Sequence, residues 1–252
     1  MLTRAQKKHM RSFAQKKVRD AEGAFLAEGP KAVGELAENF PCRLLVATAD
    51  YLAAHADVAA RAAETIEVSA RDLDEATLLQ NAHEVIALFD KERLPHGAPA
   101  DGSLMLALDG VQDPGNVGTI VRTADWFGIK RIYCSPDCAD AFAPKVVQST
   151  MGALGRVDIV YNPLPDLLDS LGPDVPTYGT FLDGANIYHE PLAAGGLLVL
   201  GSEGRGISFE VESRLRHRLY IPPFPPHANC VESLNVAMAA AIACAEFRRR
   251  TF

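Results

Sequence analysis

The stretch "LMLALDGVQDPGNVGTIVRTADWFG" (104–128) passes from a near-continuous apolar run through a glycine-rich turn into a helical pattern. An apolar run without polar alternation fits a strand covered on both faces, as in a parallel sheet flanked by helices. Four further runs repeat the theme: "RIYCS" (131–135), "PTYGTFLDG" (176–184), "LLVLGSEG" (197–204) and "RLYIPPF" (218–224). Helical segments separate them, so the fold class is α/β with a parallel sheet in the C-terminal part. Three of the runs lead straight into Gly- or Pro-rich turns that carry polar residues. Open α/β sheets bind ligands at the carboxyl ends of their strands, which places the expected site in those turns.

Upstream the pattern is smaller in scale. A basic opening helix is followed over 30–90 by alternating helix and strand patterns, among them "CRLLVAT", "TIEVS" and "EVIALFD" as strands. The sequence therefore predicts a small α/β domain over 1–92. A Pro- and Gly-containing linker follows over 93–103, and a larger domain covers 104–252. The bulk numbers agree with a globular chain: 252 residues, 48% hydrophobic and 23% charged. No apolar stretch approaches the ~20 residues of a membrane span, and the N-terminus has no apolar signal core. Cysteines 42, 134, 138, 230 and 244 are odd in number and scattered. Cys134 and Cys138 have no second pair to complete a zinc site. Reduced, mostly buried thiols, no metal, no membrane and a cytoplasmic setting are expected.

Net charge is −7, yet residues 1–20 hold seven Lys or Arg against the single acid Asp20. Such a cluster fits either a solvated helix face or a phosphate-backbone contact.

Three loops carry the candidate chemistry. In "QDPGNVG" a strand ends at Asp109, a helix begins near Val117, and Arg122 lies one turn beyond Gly118. A helix N-terminus with an arginine suits a phosphate or carboxylate. "LVLGSEGRGIS" (198–208) has the glycine order G-x-x-G-x-G. That is the reverse of the dinucleotide fingerprint and disfavours a nucleotide-dependent oxidoreductase. Gly201 is read as a point of close backbone approach to a ligand, and Glu203 as the charged group placed to orient something there. "IPPFPPHANCVESLNV" (221–236) has four prolines in six positions, which stiffen the backbone, and then enters an alanine-rich helix. Ser233 and Asn235 at that entrance fit either a helix cap or a ligand site, and His227 either an exposed loop position or a substrate contact.

In this order, "DPGNVGTIVRTADWFG", "LVLGSEGRGIS" and "IPPF…ESLNVAMAAAIACAEF" resemble motifs 1, 2 and 3 of the SpoU/TrmH family of RNA ribose 2′-O-methyltransferases, in the SPOUT superfamily. The likeness covers roughly 104–250, with "APKVVQSTMGAL" (143–154) similar to the family's segment between motifs 1 and 2. "KKVRDAEGAFLAEGPKAV" is similar to the ribosomal-protein-like substrate-binding domain that many members carry. The resemblance implies a C-terminal deep trefoil knot, S-adenosylmethionine as cofactor, and a homodimer with sites at the subunit interface.

By motif position, Gly201, Ile221 and Leu234 would line the cofactor pocket, with Leu200 close by and Thr180 a neighbour. Arg122, Asn116, Glu203, Ser233 and Asn235 would form the catalytic set. Arg122 has been proposed as the family's base, but a guanidinium is effectively always protonated. Its implied role is to bind the target phosphate and stabilise oxyanion charge, with Asn116 positioning the ribose or Arg122 and Glu203 orienting Arg122 or the loop. Given the resemblance, Arg4, Lys7, Lys8, Arg11, Lys16 and Lys17 become RNA contacts. The extra N-terminal domain favours ribosomal over transfer RNA, with a tRNA enzyme or a non-catalytic RNA-binding relative as alternatives.

Overall fold

The computed structural model describes residues 1–93, 102–225 and 231–250. Most of the expected linker, and also His227 and Cys230, lie outside the described residues. The chain divides into two compact units, Met1–Gly97 with Asp140–Arg156, and Ala98–Ala139 with Val157–Phe252.

The first unit opens with two helices, not the single one expected: α1 (Arg4–Ser12) and α2 (Lys16–Glu22). Thr3 and Gln6 close a reciprocal capping box at the start of α1. Strand β1 (Ala24–Glu28), α3 (Pro30–Leu36), β2 (Cys42–Ala47), α4 (Ala49–Ala54), α5 (Ala56–Ala59), β3 (Thr65–Glu67), α6 (Ala70–Ala76) and β4 (Val85–Asp90) follow. The sheet order is β1-β4-β2-β3, with β4 antiparallel to both neighbours and β2 parallel to β3. β1 was not foreseen. It is buried at every position, so it shows no alternation, and it is only five residues long between two glycines.

Residues 140–156, expected within the 104–252 domain, pack with the first unit. Three contacts explain this. Phe142 joins an aromatic cluster, 4.8 Å from the Phe25 ring. Asp140 pairs at 2.6 Å with Arg19, whose side chain is 3% exposed. Arg156 pairs with Glu35, against which Gly152 also packs closely.

The second unit is a six-stranded, wholly parallel sheet. Its strands are β5 (Leu104–Asp109), β6 (Arg131–Cys134), β7 (Asp158–Tyr161), β8 (Thr177–Asn186), β9 (Gly196–Gly201) and β10 (His217–Tyr220), in the order β10-β8-β9-β5-β6-β7. β7 was also missed. It is a four-residue edge strand that is half-exposed, so it lacks the apolar signature of its neighbours. Helix α7 (Pro114–Trp126) follows β5, α8 (Pro144–Thr150) belongs to the segment held by the first unit, and α9 (Leu164–Ser170), α10 (Phe209–Glu212) and α11 (Val236–Arg249) complete the set.

Leu104, Leu106 and Leu108 on β5 and Leu198 and Leu200 on β9 are fully buried. Each such side chain contributes about 1.5–3 kcal/mol. From β5 the chain builds outward to β6 and β7, then crosses to the other side for β8, β9 and β10. The strand order therefore reverses beside β5, where an open parallel sheet leaves a crevice. The loops after β5, β9 and β10, which carry the three motifs, all belong to this unit.

Candidate active site

Three of the expected residues converge on one hydrogen-bonded cluster. Asn235 caps α11, its Oδ1 accepting from the backbone N–H groups of Ala237 and Met238 at 3.0 and 3.3 Å. With the oxygen so engaged, its Nδ2 faces outward and donates to Glu203 Oε1 at 2.5 Å and to Asn116 Oδ1 at 3.0 Å. Asn116 must then turn its own amide toward Glu203, and its Nδ2 donates to the same Oε1 at 2.8 Å. The helix cap thus fixes the amide orientation of the whole cluster. The cap reading of Asn235 holds, and the same amide also joins this cluster.

Each member is positioned locally. Helix α7 begins at Pro114, three residues earlier than expected, because Asp113 caps it by accepting from the Asn116 N–H at 2.8 Å. Proline at the first helical position loses no hydrogen bond. Glu203 sits in a loop whose neck is closed by paired backbone hydrogen bonds between Ser202 and Gly206, 3.1 and 2.8 Å. A Cβ on Gly201 would lie 2.2 Å from the Gly206 carbonyl carbon. Glycine is therefore required for the loop to fold back on its own strand. Asp109, not foreseen as important, anchors the loop from below: its Oδ2 accepts from the Ser208 N–H at 2.7 Å.

Beside the cluster lies a cavity of about 770 Å³. Gly201, Glu203, Ile221, Ser233, Leu234 and Thr180, all sequence-expected, line it together with Phe181, Leu182, Tyr188, Arg205, Glu212, Tyr220 and Ile242, which were not singled out. The missed residues come from β8 and the turn after it, the β9 loop, β10 and the helices α10 and α11, where they read as ordinary core or surface. The volume falls within the range of cofactor sites. Apolar side chains against a flat ring and a loop rich in backbone polar groups fit a nucleoside carrying a polar tail, the shape the resemblance implies.

Two expected residues are elsewhere. Leu200 is fully buried, pairs with Leu108 across the sheet and is absent from the cavity wall. It belongs to the core because strand residues alternate faces. Arg122 is exposed and, among the described residues, has no hydrogen-bond or ion-pair partner. It lies six residues beyond Asn116, which at 3.6 residues per turn puts it about 120° around α7 from that side chain. Glu203 consequently bonds to Asn116 and Asn235, and does not orient Arg122 within one chain.

The basic N-terminal set divides as well. Lys7 pairs with Asp72 at 2.6 Å and Glu75 at 2.8 Å, and these carboxylates raise its pKa. Arg11 reaches the Glu75 carbonyl at 3.5 Å. Arg4, Lys8, Lys16 and Lys17 are exposed. The free thiols of Cys42, Cys134, Cys138 and Cys244 are buried, and no helix among the described residues is long and apolar enough to cross a membrane.

Comparison with known proteins gives two family matches. Residues 103–245 match the SpoU rRNA Methylase family, and residues 5–87 match an MRM3-like substrate binding domain. The 23S rRNA (guanosine(2553)-2′-O)-methyltransferase RlmP of Bacillus subtilis is 36% identical over 151 residues, 59% of this chain and 59% of its own length. The match thus spans less than two thirds of that relative. A putative RNA methyltransferase of the TrmH family from Porphyromonas gingivalis superposes with a TM-score of 0.87 at 44% identity, over 99% of each chain. An AdoMet-bound rRNA methyltransferase from Sinorhizobium meliloti gives 0.86 at 29% identity, over 100% of this chain and 97% of that one. With the second and third motif loops lining one cavity, Asn116 of the first bonded to both, and the family match running through nearly all of the parallel-sheet unit, the chain belongs to the SpoU rRNA methylase family.

Proposed function

We propose that this protein transfers the methyl group of S-adenosylmethionine to a ribose 2′-hydroxyl of a structured RNA, ribosomal rather than transfer RNA. The observation that carries the reading is the closed Asn116–Glu203–Asn235 cluster beside a cofactor-sized cavity. The names of the relatives support the substrate class, as does the substrate-binding domain matched over 5–87.

When bound, the cofactor supplies an activated methyl on a sulfonium. The chain's residues do the rest. Gly201, Ile221, Leu234 and Thr180 would hold it, with Ser233 beside them on the cavity wall and the Asn116–Glu203–Asn235 cluster stiffening the loops that would present the ribose. Positioning of this kind can supply ~7–11 kcal/mol of a barrier. Arg122 binds the target phosphate and stabilises developing oxyanion charge; as a permanent cation it does not accept the proton.

Because Arg122 faces away from the cluster of its own chain, it serves the site of a second copy in a homodimer. The paired helices α7 and α11 form the dimer face, and the C-terminal domain carries the deep trefoil knot. Arg4, Lys8, Lys16 and Lys17 contact RNA phosphates, Arg11 more weakly, and Lys7 is held back by its two carboxylates. The setting is cytoplasmic, in keeping with the buried, unpaired thiols.

The test is radiolabelled methyl transfer to separated rRNA and tRNA from cells lacking this protein, with Arg122→Ala alongside. Alkali-resistant label in rRNA, lost in the variant, is expected. Label in tRNA alone would overturn the substrate class, and no label with either RNA or with ribosomal precursors would overturn the enzymatic reading.

A further inference from the structure

Strands β8 and β10 are parallel neighbours that change register in mid-strand. His217 and Arg218 pair with Tyr178 and Gly179, whereas the next two residues, Leu219 and Tyr220, pair with Ala185 and Asn186. Residues 180–184 are left without a partner on β10, and pairing of β8 with β9 also stops at Gly179. This excursion leaves the sheet on both sides. Three of its members, Thr180, Phe181 and Leu182, form a wall of the cavity.

A wall without ladder hydrogen bonds needs another anchor. Gly184 provides one end of it: a Cβ there would lie 2.6 Å from the Leu219 carbonyl carbon, so the chain returns tightly against β10. Arg218 provides the other. Its guanidinium lies 3.7 Å from the Phe181 ring centroid, and it forms ion pairs with Asp183 of the excursion and with Glu212 of α10. Glu212 itself lines the cavity; Arg218 does not. One planar cation therefore joins two walls of the cavity from behind. A lone surface ion pair would count for little. Stacking on a ring while forking to two carboxylates is a task only arginine performs at once.

We infer that Arg218 is a positioning residue for the cofactor cavity, holding the 180–184 excursion against α10 and so setting the cavity's width. This rests on the proposed reading of the cavity as the S-adenosylmethionine site. Affinity for the cofactor, and not the transfer step, depends on it.

The experiment is calorimetric titration of the full-length protein with S-adenosylmethionine, paired with steady-state methyl transfer. Arg218→Met is expected to raise Kd about tenfold, with kcat at saturating cofactor and the KM for RNA within about twofold of wild type. Arg218→Lys should fall between the two. Asp183→Asn, on a side chain 76% exposed, should shift Kd in the same direction by less. A Kd unchanged in Arg218→Met, or a drop in kcat with Kd unchanged, overturns the inference. Should Arg218→Met fail to fold by circular dichroism, Asp183→Asn decides: an unchanged Kd overturns it. Wild-type protein that binds no cofactor would instead sink the proposed function itself, a result seen before any variant is tested.

Discussion

Asn235 uses both ends of one amide. Its oxygen caps α11 and its nitrogen reaches Glu203 and Asn116, so stability and site geometry are coupled at a single side chain. The coupling is separable by substitution. Asn235→Asp keeps a capping oxygen, since Asp and Asn cap about equally well, but sets a second carboxylate beside Glu203. Its Tm should stay within a few degrees of wild type while methyl transfer falls roughly 10²-fold. Asn235→Ala should lose the activity and about 1 kcal/mol of cap as well. Thermal melts with parallel transfer assays distinguish the two. At this scale the sequence was informative about which residues matter and less so about why. Polar residues crowded at a helix entrance are visible in a string of letters; the single orientation that satisfies cap and cluster together is not. Gly201 was legible as a glycine that must be glycine, but the atoms that require it are those of its own loop. Leu200 was expected as a neighbour of the cofactor pocket and Arg122 as the arginine of the first motif. Strand alternation puts Leu200 in the core, and helix rotation turns Arg122 away from Glu203 of its own chain.

Long apolar strands with glycine turns were readable because a covered parallel strand has a distinctive composition. β1 and β7 were not, being four or five residues long with neither alternation nor a long apolar run. Most instructive is 140–156, continuous in sequence with the second unit yet packed with the first. Its most buried tie is the charge pair Arg19–Asp140, which has no local sequence signal because the partners are 121 residues apart. Asp140→Ala leaves Arg19 buried without its counter-charge, and such a break costs about 3–5 kcal/mol. Chemical denaturation should show a loss of that order. The C-terminal end of α11 carries a second such element-level dependence. Glu246 is held down to about 2 by hydrogen bonds from Arg249 and then Arg250, against the opposing effect of burial. A depressed folded pKa contributes stability that is complete above the unfolded value near 4.5 and is lost as pH falls toward 2. Glu246→Gln should therefore lower Tm at pH 7, by the equivalent of roughly 2 kcal/mol. The gap to wild type should close between pH 4.5 and 2 in melts taken across that range.

For the molecule as a whole, the decisive geometry is the pairing of α7 with α11. Asn235 bonds Asn116 at one end of the pair and Arg248 Nε donates to the Phe127 carbonyl at the other, so the two helices run parallel. Their outward surface carries Arg122 in mid-helix, Trp126 at 84% exposure and Met238 at 50%. A second copy seated on this surface would take both side chains out of water, and two-fold symmetry is the commonest arrangement of such copies. Trp126 is the sole tryptophan of the chain. If this face closes the proposed homodimer, its emission should shift to the red when the protein is diluted to dissociate the two copies. The stronger test uses function. If Arg122 serves the neighbouring chain's cluster, Arg122→Ala and Asn116→Ala are each inactive alone. After denaturation and refolding of an equal mixture, half the dimers are hybrids, and each hybrid regains one intact site of two. Activity should return to about a quarter of wild type. A mixture that stays inactive, although mass spectrometry shows hybrids formed, would place Arg122 in its own chain's site or outside the chemistry altogether. The α7 face would then have to deliver its arginine to the cluster by a rearrangement of the helix rather than through a partner.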